Sequence, residues 1–271
     1  VTIFDIKDSP WRSPEQKFIK GDILDLKQIL DVTKGAQAVF NFAGIADIDE
    51  AKNTPTETVK YNVLGNVNVL EACRLNKVKR FVFASSVYVY SRSGSFYRAS
   101  KKACEDFIEG YNQTYGLDYT ILRYGTLYGS RSDSRNAIYR YVESALKNKK
   151  IVYDGDMTAK RDYIHVEDAA LASVEILKDE YANQSIILTG SQTFQVGDLL
   201  RMIKEMLNNE VEIVNEVNTK KTAHYITTPY SFNPKPGRKF IPGLQVDLGQ
   251  GLLGVVEEIY HDLNKDWEKD K

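Results

Sequence analysis

Tyr97 and Lys101 frame the run Tyr97-Arg98-Ala99-Ser100-Lys101, a spacing that stacks two side chains on one helical face, one turn apart. A cation in that place favours the ionised phenol, so the tyrosine becomes a usable proton acceptor near neutral pH. Just upstream, Ser85-Ser86 closes an apolar run. A hydroxyl delivered from such a strand could hold the substrate oxygen whose proton is moved. This is apparatus for oxidising an alcohol to a ketone, provided something accepts the hydride. The pair alone proves little. With 17 tyrosines and 24 lysines in 271 residues, about 1.5 such spacings are expected by chance, and one occurs. An ordinary amphipathic helix start is the competing reading, and the rest of the chain must decide.

Short β-rich runs alternate with helical patterns through the first two thirds. Strands are expected at 1–5, 17–22, 38–43, 80–84 and 118–123, with helices at 26–32, 56–75 and 97–115. Near-continuous apolar strands separated by helices indicate an α/β fold with a parallel sheet covered on both faces. Ligands of such sheets sit at the carboxyl ends of the strands. Asp5, Asp22, Phe42-Ala43-Gly44, Ser85-Ser86 and Tyr124 all fall at or just after those ends. Past residue 125 the pattern loosens. Helices are expected at 136–147, 195–207 and 252–263 and strands at 150–153 and 185–188, and the run 161–168 leads into a further helix. This half reads as a smaller lobe over the strand ends.

Composition narrows the function classes. A formal net charge of −1 gives no bulk attraction to nucleic acid or anionic membrane. There is no apolar run of membrane-spanning length and no signal-peptide pattern. Cys73 and Cys104 lie in helical patterns rather than a paired spacing, which suits core packing in a reducing cytoplasm. His165, His224 and His261 are scattered with no metal-ligand spacing, so no metal is expected.

An acidic residue ending a strand commonly chelates the ribose hydroxyls of an adenosine dinucleotide, and Asp5 fits that role. A carboxylate there also repels a 2′-phosphate, which favours NAD. Gly21-Asp22-Ile23 places a second carboxylate near the adenine. A solvated turn is the plain alternative for Asp5. In this fold the ribose acid follows a glycine-rich strand–turn–helix by about 20 residues. No such turn precedes Asp5, and Gly125-Thr126-Leu127-Tyr128-Gly129 has the wrong glycine spacing. The first strand and the pyrophosphate-binding turn are therefore expected to be missing from the sequence as given. A protein truly lacking them would bind NAD weakly or not at all and expose a sheet position.

Taken in order, these motifs resemble the extended short-chain dehydrogenase/reductases, and within them the NAD-dependent nucleotide-sugar epimerase/dehydratase family. The resemblance rests on Asp5, Asp22-Ile23, Phe42-Ala43-Gly44, Asn62, Ser85-Ser86-Val87-Tyr88-Val89-Tyr90, Tyr97 with Lys101, Leu122-Arg123-Tyr124 with Tyr128-Gly129, and Arg161-Asp162-Tyr163-Ile164-His165-Val166. It implies a Rossmann-type, doubly wound NAD-binding core at 1–125 and 160–190. A mixed α/β substrate lobe at 126–159 and 191–271 goes with it. It implies Ser86, Tyr97 and Lys101 as the catalytic triad. Cofactor contacts would come from Asp5, Asp22, Ile23, Phe42, Ala43, Gly44, Asn62, Ser85, Tyr97, Lys101 and Tyr124. Substrate contacts would come from Ser86, Thr126 and Arg161. The substrate class is a nucleotide diphosphate sugar, oxidised transiently, usually at C4. A homodimer through the helices at 56–75 and 97–115 is implied as well.

Departures from the family pattern bear on the substrate. The stretch between Ser86 and Tyr97 is short, and Gly125-Thr126 stand where an aromatic and an asparagine are common. Dehydratases of the family usually carry Asp-Glu directly after the catalytic hydroxyl; Val87-Tyr88 stand there. The resemblance therefore favours 4-epimerisation. A 4-reductase or dehydrogenase, a 4,6-dehydratase, or a non-catalytic nucleotide-binding protein stay open. Plain readings stay open beside the sharp ones too. Arg161 could pair with Asp162 or Glu167, the aromatic stretch at 225–232 could pack the lobe, and His224 could be a surface histidine.

Overall fold

A computed structural model describes residues 1–216, 238–240, 243 and 245–269. The described chain divides into two compact units. The first comprises Val1–Arg123, Ile176–Ile186 and Arg238, and the second Tyr124–Glu175, residues 187–216 and the described residues from 239 on. Residues 160–175 thus group with the second unit, where the sequence reading placed them in the core.

The first unit opens with β1 (Thr2–Asp5) and β2 (Lys17–Lys20), which pair in parallel as a separate two-stranded sheet with Asp5 opposite Lys20. Helix α1 (Leu26–Thr33) follows, its first turn closed by Asp25, whose carboxylate accepts from the Gln28 N–H. Strand β3 (Ala38–Asn41) leads to α2 (Ile48–Asn53). From the sequence alone this stretch reads as loop. Its signal is Asp47, whose carboxylate accepts from the Glu50 N–H at 2.8 Å and caps a helix of only six residues.

The long helix expected at 56–75 is instead composite. It runs α3 (Pro55–Thr58), a π-helical stretch Val59–Leu64, then α4 (Gly65–Leu75). Proline fits the first helical turn, where its missing N–H costs nothing. The π stretch holds Asn62, and such wide turns concentrate at functional sites.

Strand β4 (Arg80–Ser86) is buried almost throughout and pairs in parallel with β3, Asn41 opposite Phe83. Burial on both faces is what a central strand covered by helices requires. A 3₁₀ turn, Val87–Tyr90, follows. Helix α5 (Ser95–Tyr115) starts two residues before the expected Tyr97 and ends at Gly116, in the left-handed region at φ 70°. Strand β5 (Tyr119–Tyr124) completes the run. The main sheet has the order β3-β4-β5-β9-β12, where β9 is Gln184–Leu188 and β12 is Arg238–Phe240. The first unit's core gathers Ile29, Leu70, Cys73, Phe81, Phe83, Cys104, Ile108 and Ile121. Burial pushes both thiols up to about 12.

The second unit contains β6 (Thr126–Tyr128), α6 (Ala137–Asn148), β7 (Lys150–Tyr153), β8 (Lys160–His165), α7 (Val166–Glu175), β10 (Thr193–Gln195), α8 (Val196–Met206), β11 (Glu212–Asn215) and α9 (Leu248–Lys269). Strands β6 and β8 pair in parallel, β8 and β10 antiparallel, and β7 and β11 parallel. Helix α9 begins four residues before the expected 252. Gly249 and Gly251 obscure its start in sequence, but Asp247 accepts from the Gly249 and Gln250 N–H groups and supplies the cap. Val142, Ile151, Leu199, Leu200, Ile203, Leu252 and Val255 form this unit's core. The proline-bearing tail with His224 and the aromatic stretch at 225–232 lies outside the described residues.

Candidate active site

The last residue of β4, Ser86, and the first turns of α5 bring three polar side chains together. Tyr97, Lys101 and Ser86 are all buried. Ser86 accepts from the Tyr88 N–H at 3.3 Å, which caps the 3₁₀ turn, and its hydroxyl pulls the Tyr97 phenol downward. Lys101 donates to the Ala84 carbonyl at 2.7 Å, with its Nζ 4.8 Å from the centre of the Phe83 ring and 5.7 Å from that of Tyr97. The ammonium has three donors, and this bond engages one of them.

The electrostatics correct one expectation. Burial pushes the Tyr97 phenol up to about 12, against the downward pull of the Ser86 hydrogen bond. Burial also pushes Lys101 down to about 8, with Cys104 and Glu105 opposing. Desolvation penalises each charged form, and the downward pull on the phenol comes from Ser86 rather than from Lys101. Lys101 alone does not ready the tyrosine as a base; further positive charge is required.

Tyr88 stands edge-on to Tyr97, ring centres 6.2 Å apart. Gly94, at φ 99°, makes room for this: a Cβ there would come within 2.7 Å of the Tyr88 ring and 3.0 Å of Arg98 Cβ. Of the Val87-Tyr88 pair, Tyr88 thus puts an aromatic ring beside Tyr97 and Val87 is buried; neither is a carboxylate.

On the loop after β3, Gly44 takes φ 138°, and a Cβ would meet Asn62 Oδ1 at 2.6 Å. Asn62 is a clasp. Its Oδ1 accepts from Ile45 N at 2.6 Å, and its Nδ2 donates to the Ile45 carbonyl and to Ser100 Oγ at 3.0 and 2.9 Å. The side chain predicted to approach a cofactor thus ties the Phe42-Ala43-Gly44 loop to α5. Phe42 itself is exposed. Asn41 deepens the tie, donating to Asn66 Oδ1 at 2.9 Å and accepting from Ala43 N.

Asp5 and Asp22 each accept one N–H of their own loops, from Lys7 and Leu24, and Ile23 packs against Gly65. Ser85 differs from expectation: its hydroxyl donates to buried Glu105 at 2.6 Å. The sequence motifs include its partner Arg123 without a role and do not include Glu105. The available signal was a glutamate four residues after Lys101, on the helix's buried face.

In the second unit, the Tyr124 hydroxyl bonds Ser173 Oγ at 2.6 Å. Thr126 begins β6 opposite Tyr163. Arg161 donates to the Lys160 carbonyl, and Asp162 accepts from the Thr193 hydroxyl. Tyr128, Tyr163, His165, Asp168, Phe194 and Asp247 line a cavity of about 240 Å³. Among the described residues no cluster of His, Cys, Asp and Glu is placed to hold a metal ion, and no helix is long and apolar enough to cross a membrane.

Known proteins match this arrangement. The model of the NAD dependent epimerase/dehydratase family matches residues 3–197. A Methanocaldococcus jannaschii protein provisionally named a UDP-glucose 4-epimerase is 31% identical over 265 residues, covering 90% of this chain and 84% of its own. UDP-glucuronate 4-epimerase of Thermodesulfobacterium geofontis is 24% identical over 230 residues, covering 77% and 71%. Among solved structures, UDP-glucose 4-epimerase of Thermotoga maritima with UDP-glucose superposes at a TM-score of 0.84, with 22% identity over 97% of this chain and 91% of that one.

Proposed function

Because this chain belongs to the NAD-dependent epimerase/dehydratase family and is an NAD-dependent enzyme, we propose that it inverts C4 of a nucleotide diphosphate sugar, with Ser86, Tyr97 and Lys101 as its catalytic residues. The observation that carries the choice of reaction is the Tyr88 ring standing edge-on to Tyr97. Dehydratases of the family usually place an Asp-Glu pair there as added acid and base, and Val87-Tyr88 supply no carboxylate.

The residues at the strand ends suit the cofactor. Among the described residues, the carboxylates of Asp5 and Asp22 are engaged by their own loops alone, ready to accept from hydroxyls. Gly44 leaves a cleared turn where a Cβ would collide with Asn62. Lys101 keeps donors for a ribose. NAD, when bound, accepts and returns the hydride of the sugar carbon and adds positive charge beside the phenol. Ser86 orients the C4 hydroxyl. Tyr97 takes its proton and returns it to the keto oxygen once the sugar has turned its other face toward the cofactor. Arg161 holds the diphosphate and Thr126 the sugar, roles supported by the family resemblance. Tyr124, with its hydroxyl on Ser173, offers a ring face rather than a hydrogen bond.

The names of the two curated relatives support a uridine diphosphate sugar. Incubation with NAD and UDP-glucose, UDP-N-acetylglucosamine or UDP-glucuronate is expected to give the C4 epimer of one of them with no net consumption of NAD. Accumulation of a 4-keto-6-deoxy sugar, or stoichiometric NADH, would replace the epimerase reading with a dehydratase or a dehydrogenase.

A second copy of this chain is the proposed partner. Val59, Leu64 and Leu75 on the composite helix and Phe96, Phe107 and Tyr115 on α5 are exposed apolar side chains. Large exposed apolar groups gathered on neighbouring helices mark association surfaces. Phe107→Glu is expected to convert a sedimenting dimer to monomer; a wild-type monomer at micromolar concentration refutes the proposal. The unpaired Cys73 and Cys104 support a cytoplasmic location.

A further inference from the structure

Beneath the Ser86–Tyr97 pair lies a closed polar network that the proposed reaction does not use. Glu105 is fully buried on α5, two turns beyond Tyr97 and one beyond Lys101. Its Oε1 accepts from Ser85 Oγ at 2.6 Å and from Arg123 Nε at 3.0 Å, and its Oε2 accepts from Arg123 Nη2 at 2.7 Å. Arg123, 1% exposed on β5, donates from Nη1 to the Tyr90 hydroxyl at 2.5 Å, with its guanidinium 4.8 Å from that ring's centre.

The two ends of this network bracket Ser86 in the chain. Ser85 precedes it on β4, and Tyr90 closes the 3₁₀ turn that Ser86 caps. The centre of the network, Glu105, stands on the helix that carries Tyr97. The strand end and the helix are thus joined by charged hydrogen bonds rather than by apolar contact alone. A bidentate arginine–carboxylate pair has one preferred geometry, so it transmits a defined distance and angle. Apolar contacts at the same place would tolerate sliding. A fully buried ion pair is weak evidence for stability, because desolvation offsets its attraction. Its use must be sought elsewhere.

Resting on the reading of Ser86 and Tyr97 as the reacting pair, we propose that Glu105, oriented by Arg123, is the positioning residue of this site: through Ser85 and Tyr90 it fixes the Ser86 hydroxyl against the Tyr97 phenol. Glu105 touches no substrate in this scheme. Loss of the network lets the Ser86 hydroxyl shift, and with it the pull that draws the Tyr97 phenol downward. A loosened site holds its nucleotide as before and moves the proton less well.

Two conservative hydroxyl deletions test this without stranding a charge: Ser85→Ala and Tyr90→Phe. The first readout needs no turnover. Protein carrying ¹³Cζ-tyrosine gives a Tyr97 resonance, assigned by its loss in Tyr97→Phe, which senses the hydrogen bond to its oxygen. Ser86→Ala sets the size of the change for a lost bond. Ser85→Ala and Tyr90→Phe are each expected to move the resonance in the same direction, with the thermal melt intact. Turnover of the wild-type substrate adds the second readout. Here kcat is expected to fall about tenfold or more, as misplacement of a reacting group does, with KM unchanged. The double variant is expected to lose less than the product of the single losses, because both act on one Arg123–Glu105 pair. A Tyr97 resonance that responds to Ser86→Ala but to neither deletion overturns the proposal, as does one that ignores Ser86→Ala. An unchanged kcat in folded Ser85→Ala also overturns it. Absence of wild-type turnover on every sugar tried counts against the epimerase reading instead, and leaves the resonance to decide the positioning role.

Discussion

Tyr97→Phe is expected to cut turnover by about 10³-fold, within the range that a positioned acid–base group contributes. The substitution removes one hydroxyl from a buried ring. That ring keeps its edge-on neighbour Tyr88, so the fold and nucleotide binding should survive. What disappears is the hydroxyl proposed to take the proton, on which Ser86 exerts its pull. Measuring kcat and KM together, beside a thermal melt, separates chemistry from folding. Retention of more than a tenth of wild-type kcat would sink Tyr97 as the base. The direction of the pH response follows from the same hydroxyl. Buried, its phenol rests at about 12 in the free protein, and only the deprotonated form accepts a proton. Activity should therefore be lost as pH falls, since acid fills the acceptor. Lys101→Met, which removes the nearest cation, should move that loss to higher pH.

Glu105→Ala is expected to cost about 3–5 kcal/mol of stability, the usual result of removing one partner of a buried ion pair. Arg123 would keep its charge at 1% exposure with no carboxylate across from it. Ser85 would lose its acceptor as well. Against a typical domain stability of roughly 5–15 kcal/mol, this is a large fraction. Replacing both partners with apolar residues, as in Glu105→Leu with Arg123→Met, should recover most of the loss, because no unpaired charge remains. Urea midpoints of the three proteins measure this. A Glu105→Ala midpoint equal to wild type would mean that the pair is dispensable to the fold.

Much of the first unit is legible in sequence because its strands are apolar and its helices follow caps or glycines. The pattern at 80–84 marks β4 because a strand covered on both faces must be apolar throughout. Tyr97 and Lys101 are legible as a pair because helical geometry makes the four-residue spacing meaningful. Three features resist such reading. The π-helical stretch at Val59–Leu64 changes no residue type, since backbone width is set by tertiary packing. Helix α2 is too short to show a period and declares itself only by Asp47. The Ser85–Glu105–Arg123–Tyr90 network joins residues 85, 90, 105 and 123, and nothing in one sequence says which buried charges face each other. Tyr97's phenol value belongs to the same class. Spacing reports the neighbouring cation, whereas desolvation depends on everything packed around the pair.

Cys73 and Cys104 sit at 0% exposure in the first unit's core, one on α4 and one on α5, each held as a thiol by its surroundings. A thiol reagent attacks the thiolate and needs access, so neither cysteine reacts while the helices stay packed. Labelling of this protein is therefore a clock for opening. The rate at Cys104 times the release of the helix that carries Tyr97 and Lys101. Cys73 times its neighbour, and the ratio of the two tells whether α5 lifts alone or only when the whole core comes apart.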